Sequence, residues 1–278
     1  MIVLFRISEV YKGKNTFNIY QHNLNNDQLN EFVSKMLFDE SALNYIFTAN
    51  EDNNDSNFIE MARRFIPEEF FYKEKQALNN WDDSKLKIKQ LMDSNNGFYS
   101  FFAEALMSYL NYKILGYPLT TGVISVEETL SDQKTGADAC MFCNGIVILG
   151  EAKFYKDFDS ARNKIIEDFN SKSLISKIRN LYRKSHNSVV VFLKNISDNT
   201  INEISFEDFI NYNIVLSGFI LHNEKSSYSY SEIDKISIIE SLGKYNIVFY
   251  HLPIKSKEEL VYLIIKNALE MIVNESGR

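Results

Sequence analysis

The chain has 278 residues, of which 45% are hydrophobic and 14% aromatic, so it can bury a substantial core and is not a disordered protein. Its formal net charge of −7 argues against a strongly basic protein that binds nucleic acid on its own. Its purely apolar runs are only a few residues long, and its N-terminus lacks the basic segment of a signal peptide, so we expect a cytoplasmic protein without a membrane span.

Residues 1–95 are predicted to form an N-terminal α/β region. Residues 2–11 and 15–21 have the composition of a strand pair. Helices are then predicted where apolar residues recur at helical spacing, over 27–47, 59–65 and 70–91. The polar sequence DSNNG at 93–97 is typical of a loop, and it marks the predicted boundary with a second region, residues 96–278.

The second region is predicted to be a mixed β-sheet flanked by helices. It begins with an apolar helix over residues 98–115, which Gly116 and Pro118 would end. Strands are predicted over 123–130, 188–193, 214–222 and 246–251, the last of them closed by Pro253. Further helices are predicted over 160–169, with Asp159 as N-cap, and over 257–273. This order of elements is typical of an α/β fold.

A β-hairpin is predicted between residues 136 and 153, where the sequence reads GADACMFCNGIVILGEAK. Asn-Gly between two apolar runs is the strongest short signal for a two-residue turn, because both central residues need positive φ. With Asn144 and Gly145 as the loop, Cys143 pairs with Ile146. The numbers of opposing residues then sum to about 289 throughout the hairpin, by the antiparallel pairing rule.

This register brings three charged residues together. Asp138 lies directly opposite Glu151, and Lys153, two residues further along the strand, shares their face. Like charges opposite one another are destabilising, so the pair calls for a compensating cation, and a divalent metal is the natural one. Two carboxylates and a backbone carbonyl such as that of Ala152 are the hard oxygen ligands that Mg²⁺ prefers. The alternative is a cross-strand ion-pair cluster that contributes little.

The spacing Asp-x12-Glu-x-Lys suits phosphodiester hydrolysis. A metal-bound water can become a nucleophile once its pKa is lowered, and a lysine can position that water or neutralise charge on a phosphate. A glycosidase needs two carboxylates but neither lysine nor metal. Glu104, within the helix predicted over 98–115, either lies at the edge of the apolar stripe or points into the metal site. Glu127 and Glu128 are alternative third carboxylates, although adjacent strand residues face opposite ways.

Other chemistries find less support in the sequence. Cys140 and Cys143 form a lone C-x-x-C, and on a strand they would point to opposite faces, so we interpret them as core residues. The four histidines show no ligand spacing, and no glycine-rich phosphate loop is present.

Positive charge is concentrated directly after the hairpin. Residues 153–194 contain ten basic and four acidic residues, a net charge of +6, whereas the rest of the chain carries −13. A basic segment at this place suits a local track for DNA phosphates, and a solvated helix face is the other interpretation. The candidate DNA contacts are Lys156, Arg162, Lys164, Lys177 and Arg179.

The hairpin residues also carry a family resemblance. At Gly136-Ala-Asp138 and at the string LGEAKFYKDF, residues 149–158, the chain resembles the PD-(D/E)xK nuclease superfamily. Within it, the string followed by Ser160-Ala161 resembles HamA, the nuclease subunit of the Hachiman anti-phage defence system. The resemblance implies a restriction-endonuclease-like mixed sheet flanked by helices, with residues 1–95 as an N-terminal α/β extension.

The same resemblance implies a Mg²⁺-dependent DNA endonuclease, in which Mn²⁺ would substitute for Mg²⁺. Asp138, Glu151 and the Ala152 carbonyl would be metal ligands, Lys153 the catalytic lysine, and Glu104 a further catalytic carboxylate and ligand. It also implies a partner helicase, HamB, that holds the nuclease in check. The alternatives are a stand-alone restriction or repair nuclease and a catalytically silent, nuclease-like binding subunit.

Overall fold

Seven strands are described in the computed structural model. The described residues are 4–12, 15–22, 28, 31, 37–38, 58–94, 99–107, 121–123, 139–143, 146–155, 157–170, 213–223, 245–254 and 256–277. The strands are β1 (Leu4–Lys12), β2 (Asn15–His22), β3 (Thr121–Val123), β4 (Ala139–Cys143), β5 (Ile146–Phe154), β6 (Asn213–Asn223) and β7 (Tyr245–Ile254). They form one sheet in the order β1-β2-β7-β6-β5-β4-β3.

The sheet is mixed, as predicted. Four neighbouring strands, β2, β7, β6 and β5, pair in parallel. At one edge β1 pairs antiparallel with β2, and at the other β4 pairs antiparallel with both β5 and β3. Because β2 pairs directly with β7, the sheet continues across the boundary predicted near residue 95. The predicted strand 188–193 and most of the predicted helix 27–47 lie outside the described residues.

Strand β7 extends past the predicted stop at Pro253 and ends at Ile254. A proline inside a sheet lacks the N–H that a neighbouring strand would need. The pairing of β2 with β7 ends at His251, however, so Pro253 has a described partner strand only on the β6 side, where it lies opposite His222. On the β2 side, therefore, no pairing in the described ladder needs the missing N–H.

Helices cover both faces of the sheet. They are α1 (Phe58–Arg63), α2 (Glu74–Asn79), α3 (Trp81–Ser94), α4 (described over 99–107), α5 (Phe158–Asn170) and α6 (Lys257–Ser276), with a 3-10 turn at Glu68–Phe70. The helical segment predicted over 70–91 is present, but it is divided into two helices, α2 and α3, which follow the 3-10 turn. Tyr72 has a φ of 61°, which a right-handed helix does not allow, so the helical run is interrupted there.

Alternate residues of β6 show how the helices are divided between the faces. Val215, Phe219 and Leu221 belong to a core that α6 shares with α1, α3 and α4, so segments from both predicted regions pack together. Leu216 and Ile220 are equally buried but lie outside that core. Successive strand residues point to opposite faces, and α5 contacts β5 and β6, so this second face is covered by α5.

The N-terminus of α5 is capped by Asp157, and the predicted cap at Asp159 is wrong. The Asp157 Oδ1 atom accepts a hydrogen bond of 2.7 Å from the backbone N–H of Ser160. The Asp159 carboxylate instead pairs with the Arg162 guanidinium at 2.7 Å. Hydrogen bonds from the backbone N–H and the side chain of Ser160 hold the pKa of the Asp157 carboxyl below its usual range.

Replacing Asp157 by alanine is expected to lower the free energy of unfolding by about 1 kcal/mol, because one N–H at the start of α5 loses its acceptor. Urea unfolding measures this change, and Asp157→Asn is the matched control because asparagine keeps an acceptor oxygen. The advantage of wild type over the asparagine variant should be complete above about pH 4 and should disappear as the pH falls through the lower pKa of the folded state. An advantage that is constant with pH would contradict the assignment of the cap.

Candidate functional site

The hairpin register predicted from the sequence is confirmed over its described part. The pairs of β4 and β5 run from Cys143 opposite Ile146 to Ala139 opposite Gly150, and every pair keeps the predicted register. Asp138 would be the next residue in this series, but it lies outside the described residues, as does the Asn-Gly turn. Its position opposite Glu151 therefore stays a prediction.

Glu151 and Lys153 lie at the carboxyl end of β5, on the face that α5 covers. Along β6 their neighbours are Gly218 and Ile220, and adjacent residues of paired strands share a face. Ala152, between them, faces the core around α6 instead. The prediction that Glu151 and Lys153 share one face is consistent with this alternation, and their side chains are in contact.

A chain of ion pairs joins β5 to α5 at this point. The Lys153 Nζ atom lies 3.2 Å from Glu151 Oε2 and 3.3 Å from Asp168 Oδ2. The Glu151 side chain is only 5% exposed, and those of Lys153 and Asp168 are 15% and 18% exposed. We call these three residues the acid–lysine cluster. Charges this far from water are costly unless they are paired, and this cluster pairs them.

Asp168 was not predicted to belong to the site. It lies near the end of α5, seven residues after Ala161 and three after Ile165, both of which are fully buried against the sheet. At 3.6 residues per turn, this spacing places Asp168 beside the buried stripe of the helix. An acid at the edge of such a stripe was the signal that could have identified it.

A cleft of about 780 Å³ opens beside the acid–lysine cluster, at the carboxyl end of β5. Ligands of sheets with parallel strands commonly bind outside this end of the strands. Its lining includes Lys153 and five other charged residues, three of them acids, together with two tyrosines: Asp93, Tyr99, Tyr155, Asp157, Lys164, Lys257 and Glu258. The cleft therefore gives a ligand access to Lys153 from solvent.

One wall of the cleft is fixed by Lys257, the first residue of α6. Its buried Nζ atom donates a 2.9 Å hydrogen bond to the Phe154 carbonyl and lies 4.2 Å from the centre of the Tyr99 ring. Burial, assisted by the nearby negative charge of Glu258, raises the pKa of Tyr99 to about 12. At neutral pH this tyrosine is a neutral phenol in the cleft wall.

The predicted DNA contacts differ in exposure. The Lys164 side chain is 44% exposed on the cleft and pairs with Glu167 at 2.9 Å. The Arg162 side chain is buried, and its guanidinium donates hydrogen bonds to Asp159 and Asn163 within the same helix. Lys156, Lys177 and Arg179 lie outside the described residues. Contact of these five side chains with DNA stays a prediction.

Glu104 is half-buried on α4, between neighbours that belong to the core around α6. Over the part of the chain that the structure describes, no three histidine, cysteine, aspartate or glutamate side chains are grouped as they would be around a metal ion. The predicted ligand set includes Asp138, which is outside that part, so this finding does not test it. The buried Glu151 carboxylate does supply the hard oxygen atoms that suit Mg²⁺.

Comparison with known proteins shows a family resemblance. The model of the family HamA matches residues 131–268, a segment that includes β4 to β7, α5 and more than half of α6. No curated protein and no solved structure matches the chain. None of the helices in the described ranges combines the length and the apolar character needed to cross a membrane.

Proposed function

Because residues 131–268 of this chain resemble HamA, a family of Hachiman defence, we propose that it is a metal-dependent DNA endonuclease and the effector of an anti-phage defence system. The observation that carries this proposal is the Glu-x-Lys pair at the carboxyl end of β5, with the Lys153 ammonium 3.2 Å from the buried Glu151 carboxylate and open to a cleft. A mixed sheet with helices on both faces suits the restriction-endonuclease-like PD-(D/E)xK fold, which is part of the proposal.

Mg²⁺ is the proposed cofactor, with Mn²⁺ able to replace it. Glu151, Asp138 and the Ala152 carbonyl would hold the ion, and Glu104 is a further candidate ligand. The confirmed register of β4 and β5 supports Asp138, because the next pair in that series would be Asp138 with Glu151. When bound, such an ion polarises a phosphoryl oxygen and lowers the pKa of a bound water.

Lys153 has a separate task in this proposal. Its ammonium is fixed between two carboxylates, so it needs little reorganisation to face charge that develops on the scissile phosphate. Lys164, on the same cleft, would contact a neighbouring phosphate. Of the five candidate DNA contacts, Lys164 alone lines the cleft among the described residues.

A helicase partner of the HamB kind is proposed as the second component, in the cytoplasm. The net charge of −7 gives the chain little general attraction for DNA, and the described cleft is lined by as many acids as lysines. A nuclease of this kind needs another protein to deliver DNA to it. A motor that binds DNA strands would meet that need.

Purified chain, alone and with a helicase of the HamB kind, is expected to convert supercoiled plasmid to nicked or linear forms in Mg²⁺ or Mn²⁺. EDTA should stop the reaction, because the carboxylates would then lack the ion that they are proposed to hold. Gel electrophoresis measures the products. Cleavage that the second protein suppresses or stimulates would support the helicase arrangement, and equal cleavage with and without it would favour a stand-alone restriction or repair nuclease.

A catalytically silent binding subunit is the second candidate function, and one observation favours it. The Lys153 ammonium is already paired with two carboxylates, which is also how a purely structural ion-pair network would look. Isothermal titration with Mg²⁺ separates the two functions. A silent subunit should release no heat of binding that depends on Glu151, whereas the proposed nuclease should.

A further inference from the structure

Lys153 is held by two carboxylates, and only that of Glu151 has a task in the proposed reaction. We propose that Asp168 is a positioning residue: its carboxylate holds the Lys153 ammonium at the mouth of the cleft while Glu151 serves as a metal ligand. This inference rests on the proposed function and adds a residue to it. Asp168 acts through Lys153 and does not itself touch the substrate.

The geometry places Asp168 in this role. Its Oδ2 atom is 3.3 Å from Lys153 Nζ, almost the same distance as Glu151 Oε2, at 3.2 Å. The other Asp168 oxygen, Oδ1, lies 3.9 Å from the Nζ atom of Lys164, which lines the cleft. The Asp168 carboxylate therefore contacts both lysines, Lys153 and Lys164, that are proposed to bind neighbouring phosphates.

The helix that carries Asp168 is firmly fixed to the sheet. Asp157 caps its first turn, and Phe158, Ala161, Ile165 and Phe169 are fully or almost fully buried along one side. Side chains packed to this degree leave a helix little freedom to shift. The Asp168 carboxylate is thus presented from a rigid element, and with 18% exposure it is less screened by water than a surface acid.

A second anchor matters because a lysine side chain is flexible. Ordering a lysine side chain has a large cost in rotamer entropy, so a single contact leaves its ammonium poorly defined. The charge of Glu151 would be shared with a cation during the reaction, and its hold on Lys153 would weaken. Asp168 is not needed as a ligand in the proposed set, so its pairing with Lys153 would persist.

Asp168→Asn tests the role in kinetics. We expect kcat to fall roughly 10- to 100-fold, because a small displacement of a catalytic group has effects of that order, while KM and the Mg²⁺ affinity measured by calorimetry stay within about twofold. Glu167→Gln is the matched control, since Glu167 is the adjacent residue of the same helix and pairs with Lys164. Asp168→Glu should recover part of the rate. A loss of Mg²⁺ affinity in Asp168→Asn would instead make Asp168 a ligand and overturn the inference.

A measurement that does not depend on DNA cleavage tests this inference separately from the proposed function. In metal-free protein, acetylation of Lys153 by a lysine-directed reagent, followed by mass spectrometry, should be several-fold faster in Asp168→Asn, because one of the two carboxylates that hold the side chain in its unreactive ammonium form is then neutral. Glu167→Gln should increase the acetylation rate of Lys164 and leave that of Lys153 unchanged. Thermal unfolding shows whether each variant is folded. If wild type cleaves no DNA but Lys153 shows this change, the nuclease proposal fails and the positioning role stands. Equal rates of Lys153 acetylation in wild type and Asp168→Asn would overturn the positioning role of Asp168.

Discussion

Glu151→Gln and Lys153→Ala are each expected to lower DNA cleavage by at least about 100-fold, the scale of losing one electrostatic stabiliser of a transition state. Glutamine keeps the size of Glu151 but removes the charge that would hold the ion, so Mg²⁺ binding should fall with activity. Alanine at 153 removes the ammonium but not the ligands, so Mg²⁺ binding should persist. Initial rates of plasmid cleavage and calorimetry measure the two effects.

A second ion pair in the molecule supplies the control. Lys85 and Glu259 are also joined at 3.2 Å, but on the exposed surface of α3 and α6. Lys85→Ala and Glu259→Gln should leave cleavage unchanged, because exposed pairs contribute little and this one does not line the cleft. Thermal unfolding must accompany the assay, since Lys153→Ala removes the cation that the Glu151 and Asp168 carboxylates both contact. Undiminished cleavage in folded Glu151→Gln and Lys153→Ala proteins would refute the assigned site.

Leu269→Ala is expected to lower the free energy of unfolding by about 2–5 kcal/mol. Leu269 is fully buried on α6, in the core shared with α1, α3 and α4, and truncation there removes apolar contacts and leaves a cavity. Urea unfolding followed by circular dichroism measures the change. Leu86→Ala is the matched control, because this leucine is also helical but 62% exposed, and its replacement should alter stability by less than about 0.5 kcal/mol.

The same experiment examines the boundary predicted near residue 95. Helices α1 and α3 precede that boundary, α6 follows it, and they contact one another in one core. We therefore expect a single unfolding transition that Leu269→Ala moves as a whole. Two separate transitions, only one of them shifted by the substitution, would show that residues 1–95 unfold independently.

The hairpin register was predictable from the sequence because its determinants are local. The Asn-Gly signal and the apolar runs on either side specify which residues oppose one another, and the described pairs follow that register. The shared face of Glu151 and Lys153 follows from strand alternation alone. Local rules were less decisive at the start of α5, where the residue types of Asp157 and Asp159 both suit an N-cap. In the structure Asp157 caps the helix, and the Asp159 carboxylate pairs with Arg162 instead.

Features that depend on distant residues were not predictable in this way. Asp168 joins the site because α5 packs on the sheet and brings its carboxylate to Lys153, fifteen residues away in the chain. The interruption at Tyr72 is a backbone conformation that an aromatic residue seldom adopts, so its identity gave no warning. The parallel pairing of β2 with β7 joins segments from opposite ends of the sequence, and no local pattern specifies such a pairing.

That pairing has a consequence for the order of assembly. During synthesis, β2 emerges long before β7, so the hairpin of β1 and β2 cannot pair with β7 until the chain has been made beyond residue 245. Contacts between such distant segments also slow folding, because a long loop must close before any pairing is gained. Strand β6, beside the Glu-x-Lys pair, gains its own second neighbour only when β7 arrives. The sheet that supports Glu151 and Lys153 is therefore completed late, after translation has passed residue 254.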